Sequence, residues 1–245
     1  LSDPAANAER RLSSDRLRSM LAVGPGVWLA RLNRRLIEPA FERYWGSGTV
    51  GDVGIAELGL ERTVGDEEQG SLEATGSRHY APSSWSAILL SLWLCRPGAD
   101  DVLVDLGCGK GRVLLQAGRY RMRRIIGVDG SEQMAAVARE NLARNRHRMR
   151  CESIEIEIGD LRTYELPGDC TLIFCFNSVE RPGFDAMLAQ MLDLARRRAL
   201  PVRFIYNNST EHETVMASGR ARILRAIPAN AVIQWPLHIY ELLPD

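Results

Sequence analysis

An aspartate, three glycines and the chain's one lysine stand close together at Asp105-Leu106-Gly107-Cys108-Gly109-Lys110-Gly111-Arg112, directly after the apolar run Val102-Leu103-Val104. This order of types reads as a strand, a tight turn and a helix start. Glycine at 107 permits the turn, and glycine at 109 lets a ligand approach the backbone with no Cβ in the way. A dinucleotide fingerprint is spaced G-x-G-x-x-G, which would put its last glycine at 112. Arg112 holds that position, and the third glycine comes one residue early, at Gly111. A pyrophosphate wants a clear helix N-terminus, so the pattern departs from a phosphate site. Asp129 closes the next apolar run 22 positions after Gly107, where a carboxylate can accept both hydroxyls of a ribose. Gly159-Asp160 ends a third run and Asn177 a fourth.

The G-x-G-x-G spacing, with an acid two residues before it, resembles motif I of the class I methyltransferases that use S-adenosylmethionine (SAM). The resemblance runs from about residue 80 to 243. It implies SAM as cofactor, with Asp105 near its cationic amino-acid tail, Asp129 on the ribose and Asp160 against the adenine amino group. Gly107, Cys108, Gly109, Lys110 and Gly111 would contact the cofactor, as would Gly130 and Leu161 beside the two later acids. Asn177 falls at the family's motif IV, beside the transferable methyl, and becomes the first candidate for orienting a nucleophile. Upstream, His79-Tyr80-Ala81-Pro82-Ser83-Ser84-Trp85 resembles the pre-motif of the non-SET histone-lysine methyltransferases and their bacterial relatives. That likeness would place Tyr80 and Ser83 in the wall around the SAM tail and make Tyr80 a second catalytic candidate. Glycine-lysine-glycine-arginine, as at Gly109 to Arg112, recurs in the same subgroup.

The methyl acceptor is less legible. Amino-group methylation of adenine or glutamine resembles Asp/Asn-Pro-Pro-aromatic at the fourth strand, but Asn177-Ser178-Val179 has neither the prolines nor the aromatic. Catechol-type methylation needs carboxylates for Mg²⁺ after strands four and five. Asn177, Asn207 and Asn208 are neutral, so no metal is expected. His212 and His79 are the histidines placed to serve as a base. Arg119, Arg121, Arg123 and Arg124, then Arg144, Arg146, Arg148 and Arg150, could address RNA, but no aromatics interleave them and the net charge is zero. A solvated helix face reads better, and nucleic acid is not the expected partner. The expectation is metal-independent methyl transfer to a nitrogen or oxygen of a small-molecule or peptide/protein acceptor. The alternatives are an RNA methyltransferase, a SAM-fold protein that binds without transferring methyl, such as a cyclisation catalyst, and a nicotinamide enzyme that Arg112 disfavours.

The elements that must position these residues follow from periodicity. Apolar strands at 102–106, 125–129, 153–158, 171–176 and 202–206 alternate with helices at 85–95, 110–120, 131–146 and 184–198. Strands at 221–227 and 232–242, joined without a long helix, complete the pattern. The expected fold is α/β: a seven-stranded, mostly parallel Rossmann-like sheet with an antiparallel edge hairpin and an N-terminal helical extension. Residues 1–77 form that extension and a glycine-rich connector, and 78–245 the SAM-binding domain. Helical periodicity in 9–45, broken at Gly24-Pro25-Gly26, predicts a kink or restart at Glu38-Pro39. Its apolar face should pack on the catalytic domain or on a second subunit, so a homodimer is possible. Apolar residues make up 45% of the 245, enough for a sizeable core, and no run is long enough for a membrane span. Five cysteines in no metal-ligand spacing, and no export pattern at the start, predict buried thiols and a cytoplasmic protein.

Overall fold

A computed structural model describes residues 25–49, 82–176 and 178–244. His79, Tyr80 and Asn177, together with most of the glycine-rich connector, lie outside the described residues. The helices are α1 (Pro25–Leu32), α2 (Glu38–Trp45), α3 (Trp85–Cys95), α4 (Arg112–Ala117), α5 (Glu132–Asn145), α6 (Gly183–Arg198) and α7 (His212–Ala217). The strands are β1 (Val102–Leu106), β2 (Arg124–Asp129), β3 (Ser153–Ile158), β4 (Leu172–Phe176), β5 (Val202–Asn207), β6 (Ala221–Ile227) and β7 (Leu237–Leu242).

The seven strands form one sheet in the order β3-β2-β1-β4-β5-β7-β6. β1 to β5 run parallel, and β7 lies antiparallel between β5 and β6. This is the Rossmann-like sheet expected, with its edge hairpin. β1 and β4 are apolar nearly throughout because both faces are covered. Leu103, Phe174, Ile205 and Ile239 face α3 and α4, whereas Val104, Ile173, Phe204 and Tyr240 face α6 and α7. Strand order reverses between β1 and β4, so a crevice opens at their carboxyl ends, the place where open α/β sheets bind ligands. Asp129, at the end of β2, and Gly159-Asp160, just after β3, lie along that edge.

Three boundaries differ from expectation, each for a local reason. The helix after the glycine loop starts at Arg112 rather than 110, because Gly111 sits at φ +82, outside helical space. β7 starts at Leu237 rather than 232, because Pro236 has no N–H for the ladder and Asn230 Oδ1 instead accepts from Val232 and Ile233 N–H at 2.9 and 3.2 Å. Pro39 produces neither a break nor a restart. A π-helical turn, Asn33–Ile37, carries the helix through it, with Glu38 N–H bonded to Asn33 O. The wider turn handles a proline that cannot donate to the Arg35 carbonyl. Within this turn Asn33 is buried, donating to Val232 O at 2.9 Å and accepting from Ser86 Oγ at 2.7 Å. The helix is thereby pinned across α3 and the loop before β7.

Candidate active site at the glycine loop

The loop between β1 and α4 is held from three sides. Gly107 and Cys108 N–H both donate to Val128 O at 2.9 Å, which ties the turn to the end of β2. Gly109 N–H donates to Asp129 Oδ2 at 2.7 Å, and Ser131 N–H to Oδ1 at 2.9 Å. From the β4 side, Ser178 Oγ donates to Leu106 O at 2.8 Å. All three glycines have positive φ, at 85°, 51° and 82°. At Gly107 glycine is required twice over, since a Cβ there would also lie 2.6 Å from Ser178 Cβ. Gly127 in β2 is required for space alone, since a Cβ would stand 2.6 Å from Leu114 Cδ1 and 2.9 Å from Cys108 Sγ. Neither Gly127 nor Ser178 had a signal in the sequence, because each matters only through what the fold lays on it.

Two carboxylates lie under this loop. Asp105 is 2% exposed, and its Oδ2 has no hydrogen-bond partner. Burial first, and the nearby Asp129 charge second, push its pKa well above the ordinary aspartate range. Burial also raises Asp129, against the two N–H groups that favour its charged form. A buried acid with an unpartnered oxygen is costly unless something completes it. A cation beside Asp105 would do so. Asp129 spends one lone pair per oxygen on the backbone and keeps the others for hydroxyl donors.

The remaining sequence-predicted residues fall at graded distances from this centre. Leu161 is half-buried, with its Cδ1 facing Gly107. Gly130 is exposed, Cys108 buried, and the Lys110 carbonyl accepts from Asn141 Nδ2 at 3.0 Å. Asp160 is exposed and chelated by Arg162, whose Nε lies 2.9 Å from both of its oxygens. That pairing holds the Asp160 carboxyl below the usual range. His212 is not brought to the loop. Its Nδ1 meets Tyr240 Oη at 2.6 Å and its ring stacks on His238 at 4.3 Å, among residues of the α6 and α7 face. Asp105, between Val104 and Leu106 in the strand, points to the opposite face. Among the described residues no group of three His, Cys, Asp or Glu could hold a metal.

Arg112, read from the sequence only as a missing glycine, proves to be a structural centre. It is 6% exposed. Its Nη1 donates to Glu38 Oε2 at 3.1 Å and to Ser83 O at 2.8 Å, its Nη2 to Glu42 Oε1 at 2.5 Å and its Nε to Thr49 Oγ1 at 3.0 Å. The guanidinium also lies 4.8 Å over the Trp85 ring. Glu38 and Glu42 return to α3 through Trp85 N and Nε1, at 2.8 and 3.2 Å. The signal was present: two glutamates four apart on one helix face, opposite an arginine that opens another helix. The arginine clusters are mostly exposed, as a solvated face would be, yet some members also make contacts. Arg144 donates to Gly46 O at 2.5 Å, Arg148 to Tyr44 O, and Arg123 and Arg124 pair with Asp169.

Residues 103–198, from β1 through α6, match a family model described as a methyltransferase domain. The chain carries a class I SAM-dependent methyltransferase domain. A 23S rRNA (uracil(1939)-C(5))-methyltransferase of Stenotrophomonas maltophilia is 44% identical over 55 residues, 22% of this chain and 12% of that protein. A protein-lysine N-methyltransferase of Saccharolobus islandicus is 27% identical over 67 residues, 27% of this chain and 42% of that protein. The chain thus spans less than half the length of either relative. A precorrin 8W decarboxylase structure from Methanobacterium thermoautotrophicum superposes with a TM-score of 0.50 at 21% identity, over 66% of this chain and 92% of that one. It shares the fold. No helix among the described residues is long and apolar enough to cross a membrane.

Arg112→Met should cost roughly 3 to 5 kcal/mol in denaturant unfolding, because it strands two buried carboxylates. Adding Glu38→Gln and Glu42→Gln should restore part of that loss. A single mutant as stable as wild type would show that the cluster does not hold α2 in place.

The raised pKa of Asp105 predicts a pH dependence. Its folded form binds the proton more tightly than the unfolded chain does. The stability it contributes is therefore complete below the ordinary aspartate value of about 4 and is lost as pH climbs through the raised one. Asp105→Asn should flatten this slope, so that ligand-free variant and wild type converge below about pH 4 and the variant melts higher at about pH 8. Parallel melting curves across that range would count against a raised pKa at Asp105.

Proposed function

We propose that this methyltransferase methylates a nitrogen or oxygen of a small-molecule or peptide/protein acceptor, without a metal. The observation that carries the site assignment is the unpartnered, fully buried Asp105 Oδ2 beside Asp129 at the glycine loop. When bound, SAM supplies a methyl carbon activated by a positive sulfur. Asp105 would meet the ammonium of its amino-acid tail, and Asp129 the two ribose hydroxyls. Gly107 to Gly111 would lie under the tail, with Tyr80 and Ser83 as its wall. Asp160, Leu161 and Gly130 would border the nucleoside end.

Asn177 would orient the acceptor, its amide accepting from an amine or hydroxyl without adding charge. Catalysis of this kind is mainly alignment and exclusion of water. His212, across the sheet and stacked on His238, has no part in this assignment. The amide side chains Asn207 and Asn208 at the end of β5 support metal independence, since Mg²⁺ prefers carboxylates there. Arginines engaged in structural contacts support an acceptor other than nucleic acid. Residues 1–77 would act as an extension to the catalytic domain, 78–245, with α2 as its docking helix.

Asp129→Ala should weaken SAM binding by about 1.5 to 3 kcal/mol, the scale of hydrogen bonds to a charged acceptor. Calorimetry giving unchanged affinity would remove Asp129 from the ribose. Asn177→Ala should lower formation of S-adenosylhomocysteine about tenfold to a thousandfold, while SAM affinity moves far less. Equal turnover per folded molecule would exclude the orienting role. A protein that binds SAM and yields no S-adenosylhomocysteine with any acceptor would be a binder only.

A further inference from the structure

Asn207 is the last residue of β5 and is 1% exposed. Its Oδ1 accepts from Asn208 N–H at 3.1 Å. A backbone N–H can only donate, so the atom it meets is the amide oxygen, and the Nδ2 group is left facing elsewhere. That Nδ2 is buried and has no hydrogen-bond partner. Native proteins seldom leave such a donor unmet without a reason.

Its position gives the reason. Along β5, Phe204 and Tyr206 pack toward α6 and α7, whereas Ile205 packs toward α3. By alternation Asn207 faces the α3 side, as Asp105 does two strands away. In register it lies opposite Phe176, the residue before Asn177, and opposite Leu237 of β7. Asp105 pairs with Phe174, and Phe174 with Ile205, so Asn207 stands two strands across and two residues farther toward the carboxyl edge. At about 4.8 Å per strand and about 3.3 Å per residue, the two side chains are anchored roughly 12 Å apart on one face. Its register partners Phe176 and Leu237 are apolar and belong to the cluster under α3. The α3 face of the sheet thus carries an unmet acceptor at Asp105 and an unmet donor at Asn207.

We infer that Asn207 is an acceptor-contact residue whose amide N–H₂ holds an oxygen of the methyl acceptor, a carboxylate or amide carbonyl next to an apolar or aromatic body. The inference rests on the proposed placement of SAM over Asp105 and Asp129. The unmet group of Asn207 is its N–H₂, a donor, whereas its oxygen already has a partner. This donor selects oxygen and rejects an ammonium at that point.

The test uses the full chain saturated with S-adenosylhomocysteine. Phenylacetate, phenylacetamide and phenethylammonium are titrated as probes by ligand-observed NMR. Wild type should bind the first two in preference to the third, the better of the two identifying the oxygen as carboxylate or amide. Asn207→Leu should weaken both by tenfold or more, and Asn207→Asp, which keeps the shape but reverses the hydrogen-bond polarity, should abolish phenylacetate binding. Affinity for S-adenosylhomocysteine should be equal in all three proteins. A structural role would not produce the remaining sign: Asn207→Leu removes an unmet polar group and should raise the ligand-free Tm, on the order of 2 to 4 °C.

If Asn207→Leu lowers Tm, the amide is completed within the fold by a buried water and the inference is wrong. It is also wrong if wild type prefers the amine, binds no oxygen probe or is indifferent to the substitution. Loss of S-adenosylhomocysteine binding in wild type would instead overturn the placement of the cofactor, and the inference with it. Normal binding of that product with indifferent probes overturns the inference alone.

Discussion

A buried guanidinium has to be completed by everything around it, and in this chain that group is Arg112. Its donors reach α2 at Glu38 and Glu42, the chain beyond that helix at Thr49, and the segment before α3 at Ser83 O. Two carboxylates face one cation, which would leave excess negative charge in a site with little water. Burial pushes the Glu38 carboxyl up in spite of Arg112 beside it. Burying charges is expensive, and a cluster of this kind is better understood as fixing a geometry than as adding stability.

The geometry it fixes is that of the cofactor loop. Arg112 is the first residue of α4 and follows Gly111 directly, so whatever holds its side chain also holds the end of the loop. Trp85, beneath the guanidinium, stacks with Phe41 and Trp45 of α2 at 5.7 and 6.4 Å. The same tryptophan opens α3, immediately after Ser83 and Ser84. The N-terminal helix, the segment leading into the catalytic domain and the glycine turn therefore share one set of contacts. A displacement of α2 would be felt at Gly111 within one residue.

These dependencies explain what was legible in the sequence and what was not. β1, the glycine turn and the acids at 105 and 129 could be read because each is set by local backbone demands: alternation, positive φ, a strand end. β3 matched to the residue because Ser153 to Ile158 alternates polar and apolar side chains. Arg112 could not be assigned a role, since its partners lie 70 and 74 positions away and are recognisable only once α2 is docked. The same holds for Gly127, which nothing marks until Leu114 and Cys108 cover it, and for Asn207, whose significance is a partner it lacks. His212 stood at the right distance along the chain, but strand alternation and α7 put it on the other face.

The Arg112 cluster also bears on why the loop takes SAM rather than a dinucleotide. A pyrophosphate binds a helix N-terminus through free N–H groups and the positive end of the helix dipole. Here Glu38 and Glu42 already approach the start of α4 through Arg112, while Asp105 and Asp129 lie buried under the turn. An anionic ligand would meet four carboxylates and one cation with four of its five donors engaged. A ligand with a positive tail and sulfur and no phosphate meets the opposite: an acid raised in pKa by desolvation, which a cation would restore to its charged form. The one-residue shift of the third glycine, from 112 to 111, leaves position 112 open to a side chain. That side chain builds an acidic, phosphate-averse wall, so the spacing of the motif and the charge of its ligand have one physical cause.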